Sequence, residues 1–293
     1  MHRIAVALLL ISATAHADSR AWTAAKQVLP DGLEGVMGVN AASIRASKLY
    51  DKVWPQLMAK AGDVQKGLEQ IKTMCKLDVT TAIDSMVVGM ATDDKGLIVV
   101  AFKGASQKDF DACMDKLSKT EGKPMTTVKT GAVTKYTADG KDIYIRWLRN
   151  DVAAMATVPD DKDLLAKLTV GGNKLKPIKT EAAVWAQVDK TQDLDPVHAK
   201  MSRAYGYADL KSGKVSTELH VVVDNSRSAS EAAKQVNDQV AEAKKTNQLP
   251  PVFKPLLDTL AVKSTGSDVV LTAAMSEDDA LSLVTAVAAL LMH

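Results

Sequence analysis

Four times along the chain, two apolar strand-like runs flank a short turn and lead straight into a polar, helix-opening sequence. In the first copy Ser85–Thr92 reads as a strand, Thr92–Gly96 as a turn and Leu97–Phe102 as the return strand, and Ser106-Gln-Lys-Asp109 opens the helix. The second runs Asp142–Leu148, turns at Arg149-Asn-Asp151, returns through Val152–Val158 and opens a helix at Asp160-Asp-Lys-Asp163. The third pairs Arg203–Leu210 with Val215–Val223 about Lys211-Ser-Gly-Lys214, with a helix from Ser228-Ala-Ser-Glu231. The fourth pairs Leu260–Ser264 with Val269–Met275, then Ser276-Glu-Asp-Asp279. Each helix opens with Ser or Asp and carries an acid three residues on. That spacing lets the first side chain accept from the N3 amide while the acid reaches back. Acids in the first turn also suit the positive end of the helix dipole.

The elements before these hairpins recur as well. A helix over Ser19–Val28, stopped by Pro30, leads to the strand Gly35–Val39; Asn40 then precedes a helical region from Ser43, interrupted at Pro55 and resuming to Met74. In the second half Ala183–Val188 reads as a strand and Thr191–Met201 as a short helix. Val170-Gly-Gly-Asn-Lys-Leu-Lys-Pro177 is a turn-rich join. The expected fold is therefore α+β: two similar domains, 18–172 and 178–293, from an internal duplication, each a mainly antiparallel sheet covered by helices. A further strand pair, Thr126–Thr130 and Ala132–Thr137, has no counterpart in the second half and is expected to lie at an edge or extend the sheet.

The first 17 residues change where this fold is placed. Met1-His-Arg3 is basic, Ile4–Thr14 apolar, and Ala15-His-Ala17 a small-x-small site, so residues 1–17 read as a secretory signal peptide cut between Ala17 and Asp18. The alternative is an N-terminal core helix. Asp18 in place of cysteine gives no lipoprotein-type anchor. In an exported chain the two cysteines, Cys75 and Cys113, on successive helical stretches, are expected to form a disulfide; two separate buried thiols are the alternative. Charge is nearly balanced, 37 basic against 35 acidic residues, which gives no electrostatic case for nucleic acid. No continuous apolar run is long enough to span a bilayer.

The inventory of chemistry is thin. His198, His220 and His293 are the histidines beyond the leader, too few for a multi-histidine metal site within one chain. No His-Glu-x-x-His, Gly-x-Ser-x-Gly, Ser-x-x-Lys or glycine-rich phosphate loop is present. Asp193, Asp195 and His198 have a spacing that could share a cation, but they fit a capped helix start better, and Asp93-Asp94 and Asp160-Asp161 fit turns and caps. His220 reads as a satisfied or surface strand residue. No catalytic residue, cofactor site or metal site is assigned. The last stretch, Ala280–Met292, carries an apolar stripe through Leu281, Val284, Ala288 and Leu291, expected to pack on the second domain's sheet, with a ligand groove, membrane surface or partner as the alternatives.

Leu29-Pro30, a strand, Asn40, a helix and then repeated hairpin-helix units together resemble uncharacterised exported bacterial proteins built from duplicated α+β units. The likeness is one of layout and covers most of the chain after residue 17. It implies a periplasmic or extracellular location and transfers no site residues. The expectation is a non-catalytic exported protein that acts by binding or structural interaction in the periplasm or outside the cell, its partner an unknown protein or an apolar ligand. A carrier of an apolar or lipid-like molecule is the first alternative, and a hydrolase without a recognisable motif is the second.

Overall fold

The computed structural model describes residues 18–30, 33–60, 62–90, 96–121, 126–138, 141–156, 175–194, 199–246 and 250–291. In chain order the elements are α1 (Arg20–Val28), β1 (Gly35–Asn40), α2 (Ala41–Arg45), α3 (Lys48–Lys60), α4 (Gly62–Cys75), α5 (Val79–Ala82), β2 (Ile83–Met90), β3 (Gly96–Phe102), α6 (Gln107–Glu121), β4 (Thr126–Thr130), β5 (Val133–Ala138), β6 (Lys141–Arg149) and β7 (Val152–Ala156). There follow β8 (Val184–Val188), β9 (Gln192–Leu194), β10 (Ala199–Lys211), β11 (Lys214–Val223), α7 (Ser226–Thr246), a 3-10 turn (Pro251–Phe253), α8 (Lys254–Thr259), β12 (Ala261–Thr265), β13 (Asp268–Ser276) and α9 (Glu277–Leu291).

One antiparallel sheet runs through the described chain in the order β12-β13-β11-β10-β8-β1-β2-β3-β7-β6-β5-β4, with β9 beside β10. Its middle seam is β1 against β8, in register from Gly35↔Val188 to Val39↔Val184. Outward from the seam the first half reads β1-β2-β3-β7-β6 and the second β8-β10-β11-β13-β12. The unmatched pair β4-β5 extends the first edge.

Local chemistry explains most of these boundaries. Ser106 and Asp109 form a reciprocal cap on α6: the Asp109 amide donates to Ser106 Oγ (3.3 Å), and the Ser106 amide donates to the Asp109 carboxylate (2.9 Å). Ser276 caps α9, the Asp279 amide donating to Ser276 Oγ at 3.1 Å and that hydroxyl donating to the Asp279 carboxylate at 2.6 Å. The β10–β11 hairpin turns through Ser212 and Gly213 at φ 54° and 74°, the left-handed pair that a two-residue turn requires. The turn Thr92–Gly96 and the helix opening at Asp160 lie largely or wholly outside the described residues.

Three elements differ from expectation. The cap of α7 is Asn225, whose Oδ1 accepts from the Ser228 amide (2.9 Å), so the helix starts at Ser226 and Glu231 pairs with Arg227 instead. The stretch read as a short helix over Thr191–Met201 contains β9 and the start of β10. Met201 pairs with Gln192 and Val223, and this strand pairing overrides local propensity. Pro55 lies inside α3, and the break between the first two helices falls at Ala46–Ser47, where the Ser47 hydroxyl turns back to the Ile44 carbonyl (2.7 Å).

Helices pack on both faces of the sheet. On one, α1 buries Ala21, Trp22, Ala25 and Leu29 against Val36, Val87, Val99 and Ala154, with Trp22 edge-on to Trp185 at 5.1 Å. Burying an aromatic or leucine side chain of this kind is worth about 1.5–3 kcal/mol. On the other face α6 sets Phe110 and Met114 over Tyr136, Ile145 and Ala153. There α7 sets Ala229, Ala232 and Ala233 over Val262 and Val269. The helices that follow the first and third hairpins thus share a face, and α1 lies on the opposite one. Cys75 at the end of α4 is bonded to Cys113 on α6, Cα atoms 4.9 Å apart.

Candidate functional site

Between α6 and α7 the shared face has an apolar floor that neither helix covers. The register aligns Met37 with Val88 on one side and Ala186 on the other, and Ala186 with Gly206, which faces Leu219. One step along, Val39 lies between Met86 and Val184. These side chains share one parity, so they form a continuous stripe across β2, β1, β8, β10 and β11. Met37 is 36% exposed, Met90 44% and Leu219 43%. Single exposed apolar residues are ordinary; three large ones beside one partly exposed floor are not. A trough of about 330 Å³ runs over Val184, Ala186, Val188, Ala204, Gly206 and Ala208.

At Val39 the floor passes under α2 and α3, which enclose a second cavity of about 330 Å³. Its walls are Ile44, Leu49, Val53, Ile83 and the stacked rings of Tyr50 and Trp54, 5.4 Å apart. Asn40 caps α2 by accepting the Ser43 amide (3.1 Å), fixing the sharp exit from β1. The start of α3 is held from the far half: the buried Glu277 carboxylate of α9 accepts the Leu49 amide at 3.0 Å, and Asp278 pairs with Lys52. Ser47 caps the same turn locally, its hydroxyl accepting the Tyr50 amide at 3.2 Å, so two of the helix's free amides are satisfied, one from each half of the chain. Arg45 is the charged lining residue. Its Nη1 donates to the Thr80 and Ile83 carbonyls (3.0 and 2.8 Å). Burial pushes the Tyr50 phenol up.

The opposite face of the second half is polar. His220 Nε2 lies 3.0 Å from the Glu218 carboxylate and Nδ1 3.3 Å from that of Asp268, with the ring stacked on Tyr205 at 4.6 Å. Tyr205 donates to Asp268 (2.9 Å) and Tyr207 to Glu218 (3.2 Å), while Lys179 reaches Tyr207 (2.5 Å). Burial, then the Asp268 carboxylate, pushes Tyr205 up to about 12. The histidine hydrogen bond leads in holding Glu218 below the usual range. Each of these groups already has its partner, so the cluster ties β10, β11 and β13 together. Asp193 sits exposed on β9; Asp195 and His198 lie outside the described residues. No metal-holding group of His, Cys, Asp or Glu is found among the described residues.

The C-terminal helix α9 packs on α3 as well as on β11 and β13, with Ala280 buried and Leu281 half-buried. No helix among the described residues is long and apolar enough to cross a membrane.

No family model matches the chain, and no curated protein does. Solved structures do. Crystal form IV of TP0453 is 11% identical with a TM-score of 0.52, over 90% of this chain and 98% of that one. Form III gives 9% and 0.51, over 88% and 96%, and form I gives 10% and 0.50, over 88% and 95%. At this identity the likeness is one of fold: a large antiparallel sheet with helices, matched along nearly the whole of both chains.

Proposed function

We propose that this is an exported, non-catalytic binding protein whose ligand is an elongated apolar molecule. The observation that carries the reading is the partly exposed stripe from Met90 and Met37 to Leu219, continuous at Val39 with the cavity under α3. Ligand sites are typically concave and mostly apolar, and this one has both properties. The polar cluster around His220 supports the non-catalytic reading, because its donors and acceptors are engaged with each other. Export rests on residues 1–17 and agrees with the Cys75–Cys113 bond. The matching strand orders on either side of the β1–β8 seam support an internal duplication, with 18–172 and 178–293 as its two units.

The direct test uses the uncharged fluorophore N-phenylnaphthylamine. Its emission should rise on mixing with the purified protein, and Val53→Glu, which puts a charge into the cavity wall, should abolish the rise while circular dichroism stays unchanged. An unaltered signal in that variant would sink the reading. Export is tested separately. Protein from the native envelope should begin at Asp18 by mass spectrometry; a cytoplasmic pool retaining Met1 would overturn it.

A further inference from the structure

The cavity under α3 carries more information than its apolar walls. We propose that the ligand is a single-chain amphiphile with an anionic head, its chain along the floor and its head at Arg45. This rests on the apolar-ligand reading and adds the head group. Arg45 is the charged residue lining a cavity walled mainly by Val39, Ile44, Leu49, Val53, Trp54 and Ile83, with Thr80 and Tyr50 as the other polar side chains. The Thr80 and Ile83 carbonyls take Nη1 and fix the guanidinium in place. Nε and Nη2 make no hydrogen bond among the described residues, and neither does the Tyr50 hydroxyl in the same wall. Arginine only donates, and the Tyr50 hydroxyl has one hydrogen to donate. The group that complements both is therefore an acceptor. A negative charge on it offsets a guanidinium whose attraction is strengthened by apolar surroundings.

The acids near this wall do not supply that charge. Asp78 is bound by Lys72 at 2.6 Å and by the Thr80 hydroxyl at 2.6 Å, and these contacts hold it down at about 2. Asp51 is exposed. Size sets the number of chains. About 330 Å³ is near the lower end of ligand-site volumes, roughly 300–1,000 Å³, which suits one aliphatic chain. The floor continues it, because Val39 pairs with Val184 and Val184 with Ala208.

The test titrates the intrinsic tryptophan fluorescence of the full folded protein, to which Trp54 in the cavity wall contributes, with dodecanoate, dodecyl phosphate and dodecanol, each below its aggregation concentration. Both anions should bind about ten-fold or more tightly than the alcohol, the gain expected of a charged hydrogen bond, and the tighter of the two names the head as carboxylate or phosphate. Arg45→Gln should bring the anion-to-alcohol ratio close to one while the alcohol still binds. Arg45→Lys should keep most of the ratio, which separates charge from the tie to Thr80 and Ile83. Equal binding of anion and alcohol by the unaltered protein would overturn the anionic head and leave the apolar reading standing. Failure of all three to bind would remove both.

Discussion

Trp185 lies across the β1–β8 seam on the bare backbone of Gly38, its register partner, so closely that a Cβ on Gly38 would sit 2.1 Å from the indole. The tryptophan is 1% exposed and joins the cluster built by α1. Strand pairing and core packing therefore meet at a single cross-strand pair. Gly38→Ala should displace the indole and lower stability by about 1–3 kcal/mol, the usual cost of overpacking. Trp185→Ala should cost about 3–5 kcal/mol. Urea unfolding measures both, and a neutral Gly38→Ala would mean the seam repacks freely.

The disulfide closes 38 residues between α4 and α6. In the chain-entropy account a loop of that length is worth about 4 kcal/mol. The double change Cys75→Ser with Cys113→Ser should lower the unfolding free energy by about 2–4 kcal/mol, as read from the denaturant midpoint. Intact mass should show neither thiol alkylated before reduction.

Glu277 holds the first turn of α3 from the other half of the chain. Glu277→Ala should cost about 1 kcal/mol, as loss of a helix cap does. It should also weaken probe binding, because α3 supplies Leu49, Tyr50, Val53 and Trp54 to the cavity. A stability loss with binding unchanged would show that the tether does not position that wall.

Acid should loosen the second half at its polar face. Hydrogen bonding from His220 keeps the folded pKa of Glu218 below the ordinary 4.5. A depressed carboxylate stabilises the fold above its unfolded pKa and loses that contribution as pH falls through the folded value. Asp78, held at about 2 chiefly by Lys72, behaves alike between about 4 and 2. Carboxyl NMR titration should place both low. His220→Ala should raise Glu218, and Lys72→Ala should raise Asp78.

The hairpins and two of the caps were legible because their chemistry is local. Ser106 with Asp109 and Ser276 with Asp279 carry their own partners three residues away. Thr191–Met201 was not, since its strands exist only through pairing with β11 and with each other. Asn225 and Ser228 can both cap, and the choice between them depends on where β11 ends. The floor was hidden for a different reason. Strands such as Gly35–Asn40 and Ile83–Met90 are apolar at both parities, and that pattern is the same whether both faces are covered or one is left open. The sign that could have drawn attention was methionine at Met37, Met86 and Met90, an adaptable side chain on one face.

β1 and β8 stand about 150 positions apart in sequence, and their pairing gives each an antiparallel neighbour on both sides. A chain severed between Gly171 and Gly172 would leave each fragment with a raw edge of known register. The two fragments should reassociate when co-expressed, each completing the other's sheet. A fragment kept alone should pair with its own copy, or with the same edge of an intact chain, so that mispaired oligomers are the characteristic failure of this architecture.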